Sequence, residues 1–523
     1  MQRLQAILDA SGVAARVEAM LPVGVRPRQL SVRTLLLGML TALCDGRPAH
    51  LRRVHEALIA LSEAEKWRLG VLAAWKDGPH LLTYRQVERT FSLVVEKLAK
   101  EKPDGEPPQA LCEVMDALLE GSVKVLGEPP SSSYAVDWTD QESWSRPPRK
   151  RVAEPKGSEP LSENTQAAAP MKSADCADPD ASFGHRRGDA PGQKDEVFFG
   201  YYLQAATIVK DEGGPEVGEL ARRIQLTSCH VDPPAAFVPV LARMVKDAIA
   251  VNDILSDSGY AYRLPRSWAL PVRGLGAALI QDSHPNDRGP KGTHMGAILT
   301  NGNLYCPATP KTLLELGPLS RCASTEQIAA HDQLSAELSR YKLPKITGYD
   351  HDGYHRVSCP AAQGKLRCEL RPPSMELPHT RPQVLQAPEH PPTCCTQQTL
   401  TVPAQVNAKT AQKHDYPSKT HRLSYARRSA AERTFSTIKD PATNDISKGW
   451  CRLMGLTPIA LFTACLFVVR NVRVTDAFTA RKAEETRRLT CGLPPRRRRR
   501  RRRDTLRELL AEPGAPPARP PPL

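Results

Sequence analysis

A mixed α/β fold is the class this sequence predicts, on three observations. Residues 1–100 carry apolar side chains at helical spacing, as in Arg33-Thr-Leu-Leu-Leu-Gly-Met-Leu-Thr-Ala-Leu43. Between residues 131 and 285, short runs rich in β-branched and aromatic side chains surround one helical stretch. Near residue 430 a strongly patterned helical segment precedes an apolar one. A length of 523 residues suggests about two to four domains, and 40% hydrophobic content excludes a wholly disordered chain.

In chain order, residues 1–100 form an N-terminal helical domain, with Thr83 placed to cap one helix and a break at Gly46-Arg-Pro48. A DNA-end-binding bundle and a plain packing domain are both compatible with it. Residues 101–130 are a linker with one helix. Strands are expected over Ser133–Asp137, Glu196–Val209, Ile224–Cys229, Asp253–Asp257 and Ala277–Gln281, and a helix over Pro234–Ala250. These make residues 131–285 the first part of a core. Residues 141–195 within it are polar and read as a long loop. Residues 286–414, with many Gly and Pro, read as an inserted β-rich or irregular module. Residues 415–475 complete the core, with one helix over 415–440. The apolar run Leu456–Val469 is 14 residues long and contains Pro458; a membrane span needs about 20, so a buried helix is expected and no membrane partner. Residues 476–523, including Arg496–Arg503, are expected to be a basic, Pro/Arg-rich, disordered tail.

Charge is unevenly spread. Lys413–Arg473 holds 11 Lys or Arg against 4 Asp or Glu, and Val474–Leu523 holds 14 against 6. Those stretches account for the whole net charge of +15. Localised basicity favours a polyanion such as double-stranded DNA; the bland alternative is a solvated basic tail. The 13 cysteines are scattered and the N-terminus lacks an apolar signal core, so a cytoplasmic protein with reduced thiols is expected. No Gly-rich phosphate loop appears, so no nucleotide cofactor is expected.

The sharpest pattern is in the 415–440 helix. Tyr425, Arg428 and Lys439 lie seven before, four before and seven after Glu432, offsets that share one helical face at about 100° per residue. An exposed helix with (i, i+4) ion pairs is the simple reading. However, Asp137 and Asp257 each end an expected strand, where open sheets hold ligands. Two aspartates and a helix glutamate supply hard oxygen donors for two divalent cations about 4 Å apart, an arrangement suited to in-line displacement at phosphorus. Asp140 competes with Asp137 for the first position, and Asp253 more weakly with Asp257.

This constellation resembles the DDE transposases of bacterial insertion sequences. The Tyr425-x2-Arg428-x3-Glu432-x6-Lys439 spacing is similar to their signature helix. Asp137-x-Thr139, Asp257-x-Gly259-Tyr260, and Asp178-Pro-Asp-Ala-x2-Gly184 followed by Phe199-Gly-Tyr201 resemble their other motifs. The resemblance covers roughly residues 130–475. It implies a ribonuclease-H-like mixed five-stranded sheet flanked by helices, with a β-rich insertion before the glutamate helix. The implied activity is Mg²⁺-dependent (or Mn²⁺-dependent) cleavage at the element's terminal inverted repeats and strand transfer into target DNA, usually by a homodimer. By the same match, Asp137, Asp257 and Glu432 would bind metal, and Tyr425, Arg428 and Lys439 would contact DNA. Trp138 departs from the pattern, where a small residue is common, and so does the Arg496–Arg503 run. Two alternatives stand beside this reading: an inactive or repurposed transposase acting as a DNA-binding protein, and a related nuclease that stops at cleavage.

Cys359, Cys368, Cys394 and Cys395 are close enough in sequence to hold a structural Zn²⁺, although no Cys-x2-Cys knuckle is present and buried free thiols are the alternative. His284, His294, His351 and His355 read as ordinary loop histidines. Asp282, just after the fifth strand, reads as an acid supporting the metal ligands.

Overall fold

Apolar residues recurring three and four apart fold the first hundred residues into helices that bury one face each. A computed structural model describes residues 1–22, 28–76, 78–100, 104–148, 176–186, 196–320, 322–351 and 353–495. The first helices are α1 (Gln2–Ser11), α2 (Val13–Met20), α3 (Val32–Cys44), α4 (Leu51–Ile59) and α5 (Glu63–Arg68). A hairpin of β1 (Leu72–Trp75) and β2 (Gly78–Leu81) leads into α6 (Tyr84–Leu98). Local chemistry fixes the starts. Ser31 accepts from the Thr34 amide, and Ser62 and Thr83 form reciprocal capping boxes with Glu65 and Gln86. α7 (Gln109–Leu126) then packs against α1.

The central mixed sheet is built from β3 (Ser133–Glu142), β4 (Ser182–Arg186), β5 (Glu196–Val209), β6 (Ala221–Ser228), β7 (Asp253–Ser256) and β8 (Ala278–Gln281). Its order is β4-β5-β3-β7-β8, and β6 also pairs with β5. β4 takes Glu196–Gly200 of β5 and β6 takes Tyr201–Thr207, so the two share one edge. β5 is antiparallel to β3, β4 and β6, whereas β3, β7 and β8 run parallel. α8 (Pro233–Lys246) connects β6 to β7, with proline in its first turn. α9 (Ser258–Ala261) and α10 (Ala269–Gly274) connect β7 to β8.

The sheet thus has six strands where five are expected. β4 lies inside the stretch read as a loop: as an edge strand it buries only Gly184, so it shows no apolar alternation. β3 also continues to Glu142, past the expected end at Asp137, because β5 pairs with it over its whole length.

The insertion after β8 contains an antiparallel sheet of β9 (Pro290–His294), β10 (Ala297–Thr300) and β11 (Asn303–Tyr305). α11 (Lys311–Leu314) and α12 (Thr325–Tyr341) follow, then β12 (His355–Val357), α13 (Thr393–Thr396) and β13 (Leu400–Val402), with β12 paired to β13. The 17-residue α12 was not expected; it buries only His331, Leu338 and Tyr341.

The expected 415–440 helix starts later and is interrupted. α14 (Lys419–Tyr425) runs through a 3₁₀ turn, Ala426–Arg428, into α15 (Ser429–Ile438). α16 (Leu456–Thr490) is 35 residues long, far more than the 14-residue apolar run. Length and composition alone would let it cross a membrane, yet 83% of its most apolar window is buried within the protein.

Two compact units divide the chain, Met1–Val472 and Arg473–Leu523. In the first, one continuous apolar core joins the N-terminal helices, β5, β6, α15 and the start of α16, so a continuous core crosses residue 100. Phe91 meets Phe462 in it, ring centroids 5.7 Å apart. In the second, the rest of α16 carries ion pairs such as Arg487–Glu484 and Arg481–Glu485. The Arg496–Arg503 run lies outside the described residues.

Candidate active site at the opening between β3 and β7

β3 and β7 pair in register from Ser133↔Asp253 to Ala135↔Leu255, where their pairing ends. β7 and β8 pair up to Ser256↔Gln281. Carrying these registers onward sets Asp137, Asp257 and Asp282 in one row across three parallel strands. The row lies at the carboxyl ends of β7 and β8, where the backbone opens into turns.

The turn after β7 fixes Asp257. Its Oδ1 accepts from the Gly259 and Tyr260 amides at 2.9 and 3.3 Å and caps α9, leaving Oδ2 facing the site. Gly259 is required by close approach: a Cβ there would lie 2.6 Å from the Trp138 ring. Trp138 also packs on Tyr260, centroids 4.7 Å apart. The bulky residue after Asp137 is therefore housed by the glycine of the second aspartate motif.

Arg428 ends the 3₁₀ turn and lies between the acids. Its Nη2 donates to Asp137 Oδ2 at 2.8 Å and lies 3.9 Å from Asp257 Oδ2, while Nη1 donates to Glu432 Oε1 at 2.6 Å. Three carboxylates far apart in sequence thus meet on one guanidinium. Burial pushes the Asp137 carboxyl up to about 7; Arg428 opposes the rise, and the neighbouring Asp257 and Glu432 carboxylates add to it. Burial acts against the Arg428 charge too, but the surrounding acids outweigh it and raise its pKa. Among the described residues, no three His, Cys, Asp or Glu side chains stand ready around a common metal position.

The donor set suits hard divalent cations: each acid keeps an oxygen facing the site, and three carboxylates this close need positive charge among them. Removing Arg428 shows what that charge is worth. In Arg428→Ala, buried Asp137 loses its partner, and we expect the metal-free protein to lose about 3 kcal/mol of stability. Added Mg²⁺ should then raise its melting temperature more than it raises the wild type's. Equal Mg²⁺ shifts in a thermal-melt series would contradict this placement.

The other sequence-derived residues divide. Tyr425 is half-buried against Ala135, Leu255 and Ala430. It stacks on His421 at 5.6 Å, and burial pushes its hydroxyl upward. Lys439 does not reach the acids. It lies just past the end of α15 and donates to Asp140 Oδ1 at 3.0 Å. Asp140 is held by Arg186 as well and stays below the usual carboxylate range despite its burial, apart from the acids on Arg428. Asp253 sits at the start of β7 in an ion-pair cluster with Lys413 and Arg427, away from Arg428 and its acids. Asp282 accepts from Tyr416 at 2.9 Å.

Asp178, from the motif between the first two aspartates, is fully buried. It accepts from Tyr201, Ser143 and the Gly455 amide, and Asp180 accepts from the Leu456 amide. The pair ties β3, β5 and the start of α16 together and does not enter the site. Of the four loop histidines, His355 is buried and His294 meets the Thr401 carbonyl; neither joins the acids.

His421 is a residue the sequence did not single out. Its Nε2 lies 3.0 Å from the Gln281 carbonyl, next to Asp282. Burial lowers its pKa to about 4, with the Gln281 carbonyl opposing. An unfolded histidine takes up a proton near 6.5, so between about pH 6.5 and 4 the unfolded state binds more protons. Stability from this residue is present above that window and is lost as pH falls through it, by up to about 3 kcal/mol. We expect His421→Gln to flatten this slope in denaturant titrations at pH 7 and pH 5; an unchanged slope would assign the loss to other groups.

Comparison with protein-family models finds no family that matches this chain, and comparison with curated proteins finds none that matches it.

Proposed function

We propose that this chain is a DDE-type DNA transposase, an enzyme that cuts at the ends of a mobile element and transfers the freed strand into target DNA. One observation carries the reading: Asp137, Asp257 and Glu432, drawn from two strands and a helix, gather around Arg428. The strand arrangement supports a ribonuclease-H-like core, with three antiparallel pairings beside two parallel ones and helices against the sheet.

In this reading Asp137, Asp257 and Glu432 would hold a pair of Mg²⁺ or Mn²⁺ ions, which when bound would supply charge stabilisation for displacement at phosphorus. The chain's own residues do the rest. Asp257 is held by its turn with one oxygen aimed inward. Glu432, paired to Arg428, is 63% exposed at its side chain. Arg428, once released from the acids, is placed to grip a phosphate oxygen. Lys439 lines an adjoining groove of about 470 Å³ in which Arg186 and Lys448 face Asp140, Glu142 and Asp445, so its charges balance.

Incubating the purified protein and Mg²⁺ with DNA that spans the reading frame and its flanks tests the proposal. We expect nicks at short inverted repeats, leaving 3′-hydroxyls, and joined products when target DNA is added. Salt-sensitive binding without any cut would favour the repurposed DNA-binding reading, and cutting without joining the nuclease.

A further inference from the structure

Cysteines converge in the insertion, and the set differs from the one that spacing suggests. Cys306, Cys359, Cys368 and Cys395 all line one cavity of about 10 Å³. All four are buried, and none forms a disulfide. They come from four separate places: the end of β11, the loop after β12, a turn before Arg371, and α13. Cys394 sits beside Cys395, their Sγ atoms 4.0 Å apart. It does not line the cavity, and its Sγ lies 3.6 Å from where a Cβ on Gly296 would stand, at the β9–β10 turn.

The surroundings also need a fastening. Strands β11, β12 and β13 are three residues each, and the apolar cluster around the cavity is small, with Tyr305, Leu313, Leu338 and Leu366 among its members. Segments with little core of their own are commonly held by disulfides or a metal. A cavity this size admits roughly one atom of water size, and Arg371 on its wall can offset the negative charge of a metal–thiolate centre.

We propose that Cys306, Cys359, Cys368 and Cys395 bind one structural zinc ion that fastens the insertion, with Cys394 outside the site. Among the described residues the thiols are not already arranged as a metal group, so binding requires them to turn into the cavity. Binding displaces four thiol protons to solvent as four thiolates close on the ion at about 2.3 Å. The site is independent of the acids around Arg428, so its failure would leave the transposase reading standing.

Full-length protein purified in reducing buffer should contain one zinc per chain by elemental mass spectrometry. Cys306→Ser should lose it and Cys394→Ser should keep it. Because a zinc-free variant can fail to fold, the wild type supplies a second readout. Alkylation mapped by mass spectrometry should spare Cys306, Cys359, Cys368 and Cys395 until a chelator is added, then label all four. Folded wild type without zinc, zinc retained in Cys306→Ser, or labelling that the chelator does not change would each overturn the proposal.

Discussion

Replacing Glu432 by Gln, or Asp257 by Ala, is expected to reduce metal-dependent DNA cleavage by about 10³-fold, as loss of several kcal/mol of charge stabilisation implies. The two substitutions should differ in their side effects. Glu432 is exposed and its pairing with Arg428 is a surface contact, so Glu432→Gln should melt within about 0.5 kcal/mol of the wild type. Asp257 caps α9, so Asp257→Ala should cost about 1 kcal/mol as well. Lys439→Ala, with its lysine paired to Asp140 away from the acids, should weaken DNA binding more than it slows cutting. A gel assay with the flanking DNA, run beside thermal melts, separates these outcomes. Cleavage by Glu432→Gln at the wild-type rate would remove the glutamate from the chemistry.

The second large effect is on the fold. Phe462 is fully buried where α16 meets α6, against Phe91. Phe462→Ala should cost about 3–5 kcal/mol by leaving a cavity in the core that joins the N-terminal helices to the sheet. Denaturant titration should show that loss, and hydrogen exchange should show α6 and the first half of α16 opening together. A cost below about 1 kcal/mol would mean that these helices do not depend on that contact.

How legible the molecule was depended on how one-sided each burial is. β5, β6, β7 and β8 appear close to their expected bounds because their residues are nearly all buried, and such runs read clearly as strands. β4 was missed because Ser182, His185 and Arg186 on an edge strand carry no apolar alternation. α12 was missed because it buries only three side chains, His331, Leu338 and Tyr341, too few for an apolar stripe. In the site, Asp137, Asp257 and Glu432 were singled out as two strand ends and a helix position; the structure brings them to one guanidinium, although β3 runs on past Asp137 to Glu142. The 3₁₀ turn was not, since nothing in Tyr425-Ala-Arg-Arg-Ser429 departs from ordinary helix composition. That turn advances about 120° per residue, and α15 stops at Ile438. The single helical face drawn through Tyr425, Arg428, Glu432 and Lys439 therefore breaks at its far end, and Lys439 turns to Asp140. Cys306 escaped notice because it lies far upstream of the other cysteines, and only the packing of β11 brings it to the cavity.

Counting Mn²⁺ bound by electron paramagnetic resonance, with and without a DNA end, reads the acid cluster most directly. We expect a pair of ions on the wild type when DNA is present, with Asp137→Asn, Asp257→Asn and Glu432→Gln each weakening or abolishing that binding. Ions held equally well by all three variants, or none held by the wild type, would show that these carboxylates meet around Arg428 alone and do not form a metal centre.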